Sequence, residues 1–153
     1  MNEQLRKHTS GPILVSACLL GEACRYDRSH CRHEGVARLA AEGRAIPVCP
    51  EMLGGLGAPR PPAEIVGGDG AAVLNGRAKV VDREGRDLTG AFVYGAELAL
   101  AEAKRHGAAA ALLKEGSPSC GVRRINGGTP GKGVTAALLE LEGLAVYSEE
   151  DVD

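Results

Sequence analysis

Short apolar runs at residues 13–18, 45–49 and 109–113 alternate along the chain with stretches whose apolar residues recur at helical spacing. Runs that are apolar throughout are strands buried on both faces, and such strands pair in parallel beneath covering helices. The expected architecture is therefore α/β: a single-domain, three-layer Rossmann-like sheet, mostly parallel, with a small β-hairpin insertion between its second and third strands. Two of the runs close on a cysteine, Cys18 and Cys49, and the third leads into a short turn that carries Cys120. Open α/β sheets bind ligands in the crevice outside the carboxyl ends of their strands. Three thiols converging there describe a metal or iron–sulfur site.

A chain of 153 residues with 44% apolar content can bury one sizeable core without disulfide staples. Residues 1–10 are polar and aperiodic and read as a flexible N-terminus, which leaves 11–153 as one domain. No apolar run reaches the roughly eighteen residues of a membrane span, and no signal-like leader is visible. The expected compartment is the cytoplasm, where the five cysteines stay reduced and serve as ligands, nucleophiles or core fillers. A net charge of -2, one Phe, three Tyr and no Trp argue against a platform for polymeric nucleic acid. A single small nucleobase in a pocket needs only a few placed groups, and composition leaves that partner open.

Between the strand runs, residues 21–34 form a loop crowded with Cys24, Arg25, Tyr26, Asp27, His30, Cys31 and His33, and 36–42 reads as a helix ended by Gly43. Residues 50–70 are too interrupted by Gly and Pro for a long element, and a stretch of that kind in a compact domain is usually functional. Residues 73–87 read as a hairpin with 77–82 as one arm and Glu84-Gly85 in its turn. The longest helix is expected over 92–106, stopped by Gly107. A flexible tip at 127–133, a helix at 134–142 and a last strand at 144–147 complete the order.

The cysteine spacing contains no Cys-x-x-Cys and no Cys-x-x-His pair, so any metal site is built by the fold rather than by a local motif. Sulfur donors suit zinc, copper(I) and iron–sulfur clusters. A cubane cluster usually takes four cysteines, so a set of three leaves one iron open. Taken singly, Cys18 and Cys49 also fit as small apolar side chains of buried strands. Cys120, between Ser119 and Gly121 in a turn, is a poor core filler. Cys24 and Cys31 with His30 and His33 are candidates for a second, zinc-like site or for half-packed loop side chains. Glu51 follows Cys49 by two residues, which puts a carboxylate beside the crevice as a general base or as a cap for loop amides. Ser117 and Ser119 fit turn-capping roles equally well. Arg60 and Lys114 are candidate anion clamps or solvated charges, and Arg25 and Tyr26 are candidates for the pocket rim.

The segments Ser16-Ala17-Cys18-Leu19-Leu20-Gly21, Cys24-Arg25-Tyr26-Asp27, Pro47-Val48-Cys49-Pro50-Glu51, Pro59-Arg60-Pro61-Pro62-Ala63-Glu64-Ile65 and Lys114-Glu115-Gly116-Ser117-Pro118-Ser119-Cys120-Gly121, in that order, resemble the thiouracil desulfidase family. The resemblance runs from about residue 13 to 148. It implies a 4Fe-4S cluster held by three cysteines, matching Cys18, Cys49 and Cys120, with the fourth iron free to take the sulfur of a thiolated pyrimidine base or nucleotide. It implies non-redox hydrolysis of C=S to C=O with release of sulfide. Glu51 matches the family's water-activating glutamate and Ser117 a serine that positions substrate or water. Arg25, Tyr26, Arg60, Lys114 and Ser119 are the remaining expected substrate contacts. Cys24 stands where members of the family often carry valine. The readings from other classes are a non-catalytic metal or cluster carrier and a cysteine-dependent sulfurtransferase.

Overall fold

The computed structural model describes residues 11–29 and 31–152, so the expected N-terminal tail and His30 lie outside the described residues. In chain order the elements are β1 Ile13–Ser16, α1 Glu34–Ala41, β2 Ala45–Val48, α2 Pro50–Leu53, β3 Ala63–Val66, α3 Gly70–Leu74 and β4 Lys79–Asp82. They continue with α4 Thr89–His106, β5 Ala110–Leu113, β6 Arg124–Ile125, β7 Thr129–Pro130, α5 Val134–Leu141 and β8 Ala145–Ser148. The central sheet has the order β2-β1-β5-β8, and each of its neighbouring pairs is parallel.

Strand periodicity divides the core between the two faces. Ile13 and Val15 of β1 point to the side covered by α1, where they meet Val36 and Leu39. Leu14 points to the opposite side and packs with Ala99, Ala103 and Leu139 of α4 and α5. All of these side chains are buried, the β1 residues and Val36 at 1% exposure or less. Every sheet residue of β1 and β5 is buried, which is why those strands carry no polar alternation.

The order β2-β1-β5 also fixes the ligand crevice. The chain leaves β1 toward β2 on one side and later places β5 on the other, so β1 and β5 flank a switch point at their carboxyl ends.

Two expectations are corrected. The inserted hairpin, expected over 73–87, instead pairs Ala63–Val66 with Lys79–Asp82, antiparallel, and Gly70–Leu74 is a helix between the arms. Asp69 caps that helix by accepting from the Ala72 N–H, the kind of side-chain bond that converts a Gly-rich stretch into a helix start. The tip at 127–133 is also more ordered than expected, because Arg124–Ile125 pairs with Thr129–Pro130 in a short antiparallel ladder. Asn126 then ties this ladder to β3: its side chain accepts from the Ile65 N–H at 2.9 Å and donates to the Ile65 carbonyl at 3.0 Å.

Helix α2 carries Glu51 and is held on α4 by glycine on both sides. A Cβ on Gly95 would run into the Pro50 carbonyl, and one on Gly54 into the Ala91 carbonyl. The contact is backbone against backbone, so no side-chain rotation relieves it. Gly95→Ala is expected to destabilise the fold by about 1–3 kcal/mol, the usual cost of overpacking. Urea unfolding of the variant and the parent measures it, and an unchanged midpoint would show that α2 is free to lift.

Candidate active site

Each of the three strand-end cysteines reaches the crevice on a different local structure. Cys18 lies in the 3-10 turn Ala17–Leu20 that continues β1. Cys49 is the N-cap residue of α2, one step beyond β2, with Pro50 at the first helical position. Cys120 sits in the turn after β5, where the Ser117 hydroxyl oxygen accepts from the Ser119 and Cys120 N–H groups at 3.0 Å each. A Cβ on Gly133 would meet the Ser119 backbone, so the turn is pressed against the start of α5.

The three thiols share one cavity of about 400 Å3, and Cys24, Glu51 and Ser117 also line it. That volume lies in the range of small-molecule sites. All five cysteines are free. Burial pushes the Cys120 thiol up to about 12, against hydrogen bonds from Ser16 and Ser119 that favour the thiolate. Contact with the Cys24 thiol, followed by burial, drives Cys49 far above the ordinary thiol range. Contact with Cys18 raises Cys24 to about 11. At neutral pH these thiols hold their protons, and thiolate formation needs a metal to displace them. Among the described residues no three His, Cys, Asp or Glu side chains are arranged around a single ion. Soft donors distributed over the wall of a cavity of this size instead suit a multinuclear iron–sulfur centre.

Glu51 enters the cavity from the first turn of α2 and meets Arg60, whose Nε lies 3.2 Å from its Oε1. The Arg60 side chain is only 8% exposed. Its other guanidinium nitrogens donate to the Cys24 carbonyl at 3.0 Å and the Gly57 carbonyl at 2.9 Å. Arg60 therefore lines the cavity as a brace joining Glu51 to the Cys24 loop, with each of its three guanidinium nitrogens engaged.

The other expected contacts divide into wall and support. Arg25 and Tyr26 line the cavity mouth, with the guanidinium 5.7 Å from the ring centroid and its NH1 on the Ser29 hydroxyl. Lys114 lines it too, while its Nζ pairs with Glu149 at 3.0 Å and donates to the Glu115 carbonyl. Ser119, expected among the substrate contacts, sits behind Cys120: it is 1% exposed, and its hydroxyl bonds the Thr135 hydroxyl at 2.8 Å. The loop cysteines separate as well. Cys24 faces the crevice, whereas Cys31 packs against the core under α1 and His33 caps α1 by accepting from the Val36 N–H.

Two supporting residues were not legible in the sequence. Glu115 is buried, and one of its oxygens accepts from the Val122, Arg123 and Arg124 N–H groups while the other pairs with the Arg123 guanidinium. Burial alone would push its carboxyl up, but these donors hold it below the usual range. It fixes the segment that follows the Cys120 turn. Ser16, the last residue of β1, accepts from the Lys114 N–H at 3.0 Å and reaches Cys120, so it couples two strand ends. A Ser in a buried run and a Glu after one carry no pattern of their own.

This arrangement of cysteines, glutamate and arginine on a parallel sheet can be set against known proteins. The family model described as 2-thiouracil desulfurase matches residues 13–151, nearly the whole chain. The chain belongs to that family. It is 49% identical over 147 residues to the uncharacterized protein YbbK of Bacillus subtilis (strain 168), covering 92% of this chain and 97% of that one. It is also similar to the solved structure of the [4Fe-4S]-dependent thiouracil desulfidase TudS, at 45% identity and a TM-score of 0.81, with 92% of each chain covered. Membership in the desulfurase family agrees with the sulfur-donor chemistry of the cavity, and the TudS likeness with its sheet.

Proposed function

We propose that this chain is an iron–sulfur-dependent desulfidase that hydrolyses C=S to C=O in thiolated pyrimidines, 2-thiouracil or thiouridine nucleotides, and releases sulfide. The observation that carries the reading is the delivery of Cys18, Cys49 and Cys120 from three adjacent parallel strand ends into the cavity that also holds Glu51. These three cysteines would hold a 4Fe-4S cluster. When bound, the cluster supplies Lewis-acid chemistry that polarises a thione sulfur.

The chain's own groups supply the rest. Glu51 is the general base that takes a proton from water as the oxygen attacks the thione carbon. Arg60 fixes the direction in which that carboxylate points, because one guanidinium binds Oε1 and two backbone carbonyls at once. The Ser117 oxygen is committed to two backbone N–H groups, so its hydroxyl hydrogen is what it offers to a pyrimidine carbonyl or to the water. Tyr26 and Arg25 form the face of the mouth over which a planar base enters. The sulfur-rich site and five free cysteines suit the reducing cytoplasm. No helix among the described residues is long and apolar enough to cross a membrane.

Anaerobic reconstitution followed by iron and inorganic sulfide determination tests the cluster, and competition between 2-thiouracil and 4-thiouridine monophosphate tests the substrate class. The expected results are iron and sulfide in equal amounts and conversion of both thiones, each suppressing the other's turnover. Delivery of the sulfur to an added acceptor in place of free sulfide would identify a sulfurtransferase instead. Iron retention with intact substrates would identify a carrier.

A further inference from the structure

Four thiols, not three, line the crevice, and the fourth is the one to which the proposed mechanism gives no task. Cys24 is 8% exposed, as deeply set as Cys18 at 7% and Cys120 at 6%. It packs with both Cys18 and Cys49 and lines the same cavity. The surrounding loop holds it there: the Cys24 carbonyl accepts from Arg60 at 3.0 Å and from the Cys49 thiol at 3.6 Å. Arg60 is itself braced by Glu51 and Gly57. Cys24 is thus anchored by its backbone with its side chain directed among the other sulfurs.

We propose that Cys24 is a fourth, exchangeable ligand of the cluster, binding the iron that the three strand-end cysteines leave open until a thione sulfur replaces it. This rests on the proposed desulfidase reading. Binding forms an Fe–S bond, breaks the Cys24 S–H bond and releases the proton to solvent, with no change of oxidation state. Replacement by substrate reverses it, and the thiolate takes a proton back. The placement of Cys24 allows exchange. Cys18 and Cys49 follow directly from sheet strands, whereas Cys24 sits on the loop beyond the Ala17–Leu20 turn, outside any helix or strand. Its position is set mainly by hydrogen bonds to its carbonyl, so the side chain can turn aside without disturbing the sheet.

The test reads the cluster rather than turnover. Mild one-electron oxidation of a 4Fe-4S cluster with an open iron expels that iron as Fe2+ and leaves a three-iron cluster with its own EPR signal; a fourth thiolate resists the loss. Reconstituted parent, Cys24→Val and Cys24→Ala are each treated anaerobically with an equimolar amount of ferricyanide. The expected result is a three-iron signal several-fold weaker in the parent than in both variants, with 2-thiouracil raising the parent's signal toward theirs. The valine variant conserves the packing of this buried position, and far-UV circular dichroism checks that both variants fold. Equal signals in all three proteins, with sulfide release from 2-thiouracil intact, would overturn the ligand role of Cys24 and leave the desulfidase reading standing. A parent that retains no iron would end both.

Discussion

Replacing Cys18, Cys49 or Cys120 by Ser is expected to abolish cluster retention, while Cys31→Ser and Cys24→Val keep it. The first three reach the cavity from β1, β2 and the turn after β5, elements fixed by the parallel register of the sheet, and the one other thiol of the cavity, Cys24, can serve only one iron at a time. A hydroxyl is a poor substitute for a soft thiolate. Cys31 packs outside the cavity against the core. Iron content and the visible absorption of each variant after anaerobic reconstitution decide the matter. Full iron in Cys120→Ser would end the three-ligand assignment.

Glu51→Gln should retain iron and lose sulfide release by about a hundredfold to ten-thousandfold, the usual contribution of a positioned general base. The amide is nearly isosteric and can still accept from Arg60, so the brace between Arg60 and the Cys24 loop remains. What it cannot do is take a proton from water. Turnover of 2-thiouracil by the variant, with iron content measured on the same sample, separates loss of the base from loss of the cluster. Unchanged turnover would reduce Glu51 to the loop-capping role that its sequence position equally allowed.

The sheet was legible in the sequence because its strands are apolar throughout and are separated by helices with clear stops, such as Gly107 at φ 70 after α4. The ligand crevice followed from the same pattern, since parallel strands share their carboxyl ends. The hairpin was misplaced for a local reason: Pro61 and Pro62 mask the short strand that starts at Ala63, so its partner arm was sought after residue 82 instead. Individual side chains were harder to assign because residue type does not reveal direction. Ser119 and Ser117 are two apart in one turn, yet one faces Thr135 in the interior and the other lines the cavity. Arg60, read as an anion clamp or a solvated charge, donates instead to Glu51 and to the Gly57 and Cys24 carbonyls, the last 36 positions away along the chain, a long-range bond that no local pattern encodes.

The central claim is that the cavity performs hydrolysis at carbon with sulfide as the leaving group, without electron transfer. Incubating the reconstituted protein with 2-thiouracil under nitrogen, with no reductant present, and measuring both products tests it most directly. Sulfide and uracil in equal amounts, with activity lost after exposure to air, is the predicted result; a strict requirement for an electron donor, or uracil formed without free sulfide, would contradict it.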